Sequence, residues 1–151
     1  GKIRHNIHII DDVDMTMNRL NSYAKNKRPD VLIIDQLDKV YIDGNFVRKD
    51  EMLGEVYQMA REIGKRHECA VIGITQASFA AEGKTQVHFS MMAESRTSKA
   101  AEADLVIGIG KDSSKPLDDP ERFLTISKNK ITGIHTTKPC LLHTQISRFV
   151  A

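Results

Sequence analysis

Two residues close apolar runs at positions where α/β proteins commonly do their chemistry. Asp35 follows residues 31–34 (VLII), and Gln76 follows residues 69–75 (CAVIGIT). In an open α/β sheet, ligands gather beyond the carboxyl ends of the strands. A carboxylate held there can orient a magnesium ion and its waters beside a nucleoside triphosphate. A neutral amide at the end of the next strand can hydrogen-bond a terminal phosphate and transmit its loss to the loop that follows. Each residue also has a plain structural reading, Asp35 as the cap of a turn and Gln76 as the first residue of a loop. Their order carries more than either alone: strand and Asp, helix, strand and Thr-Gln, then a long loop.

The elements that would position them follow from periodicity. Residues 6–10 (NIHII) form a β-branched run closed by Asp11 and Asp12, which predicts a short strand. Val13, Met17, Leu20 and Ala24 then recur at helical spacing, with Asp14 or Thr16 as the N-cap. Arg28, Pro29 and Asp30 stop that helix and launch residues 31–34, whose unbroken apolar character predicts a strand buried on both faces of a parallel sheet. After a loop containing Gly44 and Asn45, Leu53, Val56, Tyr57, Ala60, Ile63 and Gly64 make one helical stripe, with Glu51, Glu55, Gln58, Arg61, Glu62 and Lys65 facing away. Residues 69–75 predict a second buried strand and residues 103–109 a third. The polar stretch 76–98 between them is read as flexible, because loops beyond about 12–15 residues are usually functional or disordered. Residues 123–127, 136–143 and 146–150 read as shorter, alternating strands, punctuated by Pro120, Gly133 and Pro139. The expected fold is α/β, a three-layer α/β/α domain with a mainly parallel sheet and antiparallel strands at its C-terminal end.

Composition sets the outer bounds. A chain of 151 residues suffices for one domain with a buried core, and 40% hydrophobic with 28% charged residues excludes a disordered polymer. A net charge of +2 gives no global field, so any nucleic-acid contact must come from local clusters. Cys69 and Cys140 lack metal or disulfide-framework spacing, no apolar run approaches the roughly 20 residues of a membrane span, and no signal region opens the chain; the expected setting is the cytoplasm, with no membrane partner. His5, His8, His67, His135 and His143 are scattered without metal spacing. Arg48, Lys49, Arg61, Lys65 and Arg66 read as the wet face of a helix.

Several segments together resemble one family. Residues 30–37 (DVLIIDQL) look like the Walker B strand of DnaB-like replicative helicases, a branch of the RecA superfamily. Residues 55–78 (EVYQMAREIGKRHECAVIGITQAS) are similar to the helix and Gln-bearing strand that follow it there. Residues 94–109 (ESRTSKAAEADLVIGI) resemble the path from a DNA-facing loop through a short helix into an Ala-Asp-Leu strand. Residues 123–133 (FLTISKNKITG) resemble the strand ending in the family's Lys-x-Arg element, and residues 143–149 match its closing Gln-x-x-Arg-Phe strand.

The resemblance implies a RecA-like ATPase domain using ATP and Mg2+, in which Asp35 would hold or orient the metal and Gln76 would sense the γ-phosphate. Lys128 and Lys130 would reach a neighbouring subunit's nucleotide, in a ring expected to be hexameric. Ser95, Arg96 and Thr97 would line a central channel and hold single-stranded DNA; read from the residues alone, Lys84, Arg96 and Lys99 are the loop's phosphate-binding cations and Phe89 its base-stacking residue, or the stretch is a disordered surface loop with ordinary charges. Primase is an implied partner. Two departures stand out. No Gly-x-x-x-x-Gly-Lys-[Ser/Thr] occurs, since Gly1-Lys2 is followed by Ile3, so residues 1–151 are read as a partial domain without its P-loop portion and expected to be inactive alone. The trans-acting arginine position holds Lys130, which lacks a guanidinium fork, and residues 128–130 also read as a solvated strand end. Alternatives are a RecA-like recombinase, or a degenerate RecA-fold protein that binds DNA or a partner without turning over ATP.

Overall fold

The computed structural model describes residues 6–44, 48–93 and 96–150. The element order is α1 (Met17–Lys27), β1 (Val31–Asp35), α2 (Lys49–His67), β2 (Ala70–Ile74), α3 (Arg96–Glu102), β3 (Leu105–Gly110), β4 (Glu121–Asn129), β5 (Thr136–His143) and β6 (Arg148–Val150). Helix α1 starts where the Thr16 hydroxyl accepts from the backbone N–H of Arg19, filling one of the donors a helix leaves open at its first turn. It ends at Arg28 in the left-handed region, just before Pro29. Helix α2 carries Asp50 and Glu51 in its first turn and Lys65, Arg66 and His67 in its last, in line with its dipole.

Strands β1 and β2 pair in parallel, Val31 opposite Ala70 through Asp35 opposite Ile74. One face of this pair is covered by α1 and α2. Met17, Leu20, Ala24, Ile34, Leu37, Val40, Val56, Tyr57, Ala60 and Ile63 make the core there, with Leu32 and Val71 packed against it. His67, the last residue of α2, meets Asn21 in the middle of α1 at 2.8 Å and ties the two helices together. The other face is open: Val31 and Ile33 are 48% and 62% exposed, and Ile72 and Ile74 stand beside them.

Three expectations are corrected by this architecture. Residues 7–10 form no strand, and Ile7, Ile9 and Ile10 are exposed. The run 31–34 is buried on one face only. The sheet is not mainly parallel: β1 and β2 are the single parallel pair among the described strands, and β3, β4, β5 and β6 form a separate four-stranded antiparallel sheet in that order. The physical reason is that an unbroken apolar run reports two apolar faces and nothing about which strand supplies the hydrogen bonds. The two helices α1 and α2 form a layer on one side of the parallel pair.

Residues 76–93 are also more ordered than their polarity suggests. Short 3-10 turns form at Phe79–Ala81 and Phe89–Met91, and Ala77 bridges Met92 in antiparallel fashion. The segment lies so close to β3 that a Cβ on Gly108 would collide with the carbonyl oxygen of Val87. Because that obstacle is backbone, Gly108→Ala must push the segment off the strand. The expected loss is about 1–3 kcal/mol, the usual penalty for overpacking, readable by urea unfolding and as faster amide exchange in residues 84–88.

Candidate functional site at the carboxyl ends of the parallel strands

The parallel register puts Asp35 opposite Ile74, so the end of β1 lies beside the residues that leave β2, Thr75 and Gln76. The structure therefore brings Asp35 and Gln76 to one sheet edge. Both are exposed, and among the described residues neither side chain makes a hydrogen bond or ion pair. The turn-cap reading of Asp35 would require its carboxylate to accept from the backbone ahead of it. That bond is absent among the described residues, and the 3-10 turn Leu37–Lys39 closes instead through the carbonyl of Gln36.

Three residues beyond Asp35 lies a buried polar cluster. The Tyr57 hydroxyl donates to Asp38 Oδ1 at 2.8 Å. Thr75 Oγ1 and Lys99 Nζ both donate to Oδ2, the lysine at 2.8 Å. Lys99 Nζ donates further to the Ala93 carbonyl at 2.7 Å and lies 5.5 Å from the centre of the Tyr57 ring. Burial first, and then the neighbouring Asp38 carboxylate, hold the Tyr57 hydroxyl well above the ordinary tyrosine range, so it is a neutral donor at any physiological pH.

The expected role of Lys99 is corrected by this cluster. Its side chain is wholly buried (0% exposed) and its ammonium is spent inside the fold, so it is not placed to hold a DNA phosphate. Of the other residues expected at DNA, Ser95 lies outside the described residues, Arg96 and Thr97 open α3, and Lys84 is exposed in the turn whose carbonyl accepts from Lys111 N–H. Phe89 is exposed, and so is Phe79, which closely follows the bridge at Ala77 and which sequence reasoning passed over.

Lys128 and Lys130 stand elsewhere. Lys128 Nζ donates to the carbonyls of Ala100 and Ala101, and Lys130 Nζ to that of Ala101 at 3.0 Å, so both cations sit at the C-terminal end of α3. Partial burial, and next the like charge of Lys130, keep the Lys128 ammonium below the usual lysine range. Arg61 meets Glu102 at 3.3 Å and Asp104 at 3.8 Å, which makes it part of this charged cluster and not simply a wet helix face. Neither lysine contacts Asp35 or Gln76 within the chain.

No local cue announces the Asp38–Lys99 pair, whose partners are separated by 61 positions. The only local hint was Asp38 itself, which sits beside Lys39 between the apolar Leu37 and Val40. For a divalent cation, no group of three or more His, Cys, Asp or Glu exists among the described residues. A single exposed carboxylate at a strand edge still fits magnesium, which typically takes one or two protein carboxylates and fills its remaining positions with water and phosphate oxygens. None of the helices among the described residues is long and apolar enough to cross a membrane.

No protein-family model and no curated protein matches the sequence. Solved structures do match the fold. A DnaB-like replicative helicase, described with its interactions with primase, superposes with a TM-score of 0.84 at 18% identity, covering 99% of this chain and 39% of that one. A second solved structure, described as an ATPase domain, superposes with a TM-score of 0.83 at 18% identity, covering 96% of this chain and 54% of that one. The chain thus shares its α/β fold with a DnaB-like replicative helicase and with that ATPase domain, and it spans about two-fifths to one-half of the length of those chains.

Proposed function

We propose that this chain is the C-terminal part of an ATP-driven motor that moves along single-stranded DNA during replication, working as a homo-oligomeric ring in the cytoplasm. The observation that carries the reading is the shared edge of Asp35 and Gln76, two exposed polar groups with no partner among the described residues, at the carboxyl ends of paired parallel strands. Bound Mg–ATP would supply the phosphoryl group transferred to water. Asp35 would hold the metal's waters, and the Gln76 amide would hydrogen-bond the terminal phosphate. Lys84 with Ser95, Arg96 and Thr97 would face the DNA phosphates. Lys128 and Lys130, gathered at one end of α3, would present positive charge to the nucleotide of an adjacent subunit. A hexameric ring and a primase partner belong to the same reading.

The open apolar face supports a P-loop segment lying upstream. Val31, Ile33, Ile72 and Ile74 on the parallel pair, and Leu105, Ile107 and Ile109 on β3, are all exposed, and grouped apolar side chains of this kind mark faces that another segment covers. A strand and helix carrying the P-loop would cover it and complete a three-layer α/β/α domain. On this reading the chain alone turns over no ATP, because its sequence contains no Gly-x-x-x-x-Gly-Lys-[Ser/Thr] to cradle the β- and γ-phosphates.

The test is ATP hydrolysis by the protein with its upstream sequence, with and without single-stranded DNA. DNA-stimulated turnover is the expected outcome. DNA binding without turnover would favour a degenerate RecA-fold binding protein, a reading helped by one feature: Lys128 and Lys130 are already engaged with the carbonyls of their own α3.

A further inference from the structure

The buried cluster closes a ring of contacts that passes through the Gln76 end of the proposed site. Thr75 donates to Asp38, Asp38 accepts from Lys99, and Lys99 donates to the carbonyl of Ala93. The Ala93 N–H in turn donates to the carbonyl of Gln76 at 3.1 Å, and Gln76 is bonded in sequence to Thr75. Asp38 is three positions from Asp35, and Lys99 lies on α3, the helix that begins at Arg96. One side of the ring is therefore anchored at the nucleotide edge and the other at the segment expected to face DNA.

We infer that the Lys99–Asp38 pair is a positioning device that couples the DNA-facing entry of α3 to the strand ends bearing Asp35 and Gln76, an inference that rests on the motor reading above. Packing alone gives little reason for the pair, since a buried ion pair is often no better for stability than apolar residues of similar volume. Its connectivity does give one. A shift of the Gln76 backbone on loss of the terminal phosphate must move Ala93, and with it the acceptor that helps hold Lys99. The same path runs in reverse, because coupling between two binding sites is reciprocal. Asp38 and Lys99 touch neither nucleotide nor DNA in this scheme; they act through Gln76 and α3.

The test uses the full-length protein with Asp38→Leu and Lys99→Met combined, which replaces the ion pair by apolar side chains. Thermal unfolding should fall much less than for Lys99→Met alone, since no charge is stranded and only the Tyr57 and Thr75 hydroxyls and the Ala93 carbonyl lose their partners. The ratio of DNA-stimulated to basal ATP hydrolysis should fall about tenfold, within the usual range of allosteric couplings. The gain in affinity for an oligo-dT strand on adding a non-hydrolysable ATP analogue should shrink by a similar factor. A folded double variant with both ratios unchanged overturns the inference and leaves the pair a purely structural one. Should the double variant fail to fold, Thr75→Val removes one link while keeping the ion pair; a reduced ratio supports the coupling and an unchanged ratio overturns it. If the unsubstituted protein itself shows no DNA-stimulated turnover, the motor reading has failed, an outcome distinct from a stimulated parent with an equally stimulated double variant.

Discussion

Lys99→Met as a single substitution is expected to lower stability by about 3–5 kcal/mol, the usual cost of removing one partner of a buried ion pair. The substitution removes no volume to speak of, so the effect is electrostatic. Asp38, whose side chain is only 13% exposed, would keep its hydrogen bonds from Tyr57 and Thr75 and lose the cation that neutralises it. The Ala93 carbonyl would lose its bond from the lysine at the same time. Two hydroxyl donors cannot replace a full charge in a site shielded from water. Thermal unfolding should fall by roughly ten degrees. Adding Asp38→Leu should recover most of that loss, because the stranded carboxylate is then gone. A single variant as stable as its parent would mean that water reaches Asp38 and that the cluster is not a dry one.

That contrast between a pair and its parts also marks the limit of what the sequence could disclose. The placing of Asp35 and Gln76 at one sheet edge was legible because each ends an apolar run and the runs are separated by a strongly periodic helix, so their order survives any error in register. The α1 cap at Thr16 and the β5 strand at Thr136–His143 were legible for similar local reasons: a hydroxyl before the first turn, and alternation bounded by turn residues. Lys99 was not legible. In a polar loop region a lysine looks like a solvated charge, and only the folded chain brings Asp38 within reach. The pairing of β3 was hidden too, since Leu105–Gly110 is as apolar as a parallel strand and its partner β4 is chosen by contacts that no local window contains. Residues 7–10 illustrate the converse, for β-branched composition alone does not make a strand where the segment pairs with no described strand.

Asp35→Ala should have the largest effect on turnover. In the full-length protein kcat for ATP hydrolysis should fall roughly 10²–10³-fold, the scale expected when one preorganised electrostatic contact to the transition state is removed. Stability should change little, because the side chain is exposed and makes no hydrogen bond or ion pair among the described residues. Those two expectations together separate the competing readings. A turn-capping carboxylate would reveal itself as a loss of stability with turnover proportional to the folded fraction; a metal-orienting one reveals itself as a lost rate in a fully folded protein. Raising magnesium should recover part of the rate if Asp35 acts by holding the metal's waters, since weaker metal binding is then part of the defect. Asp35→Asn should lie between, keeping shape and hydrogen bonding while losing charge. An Asp35→Ala protein that is folded and turns over at the parental rate would remove Asp35 from the site and, with it, the observation on which the motor reading chiefly stands.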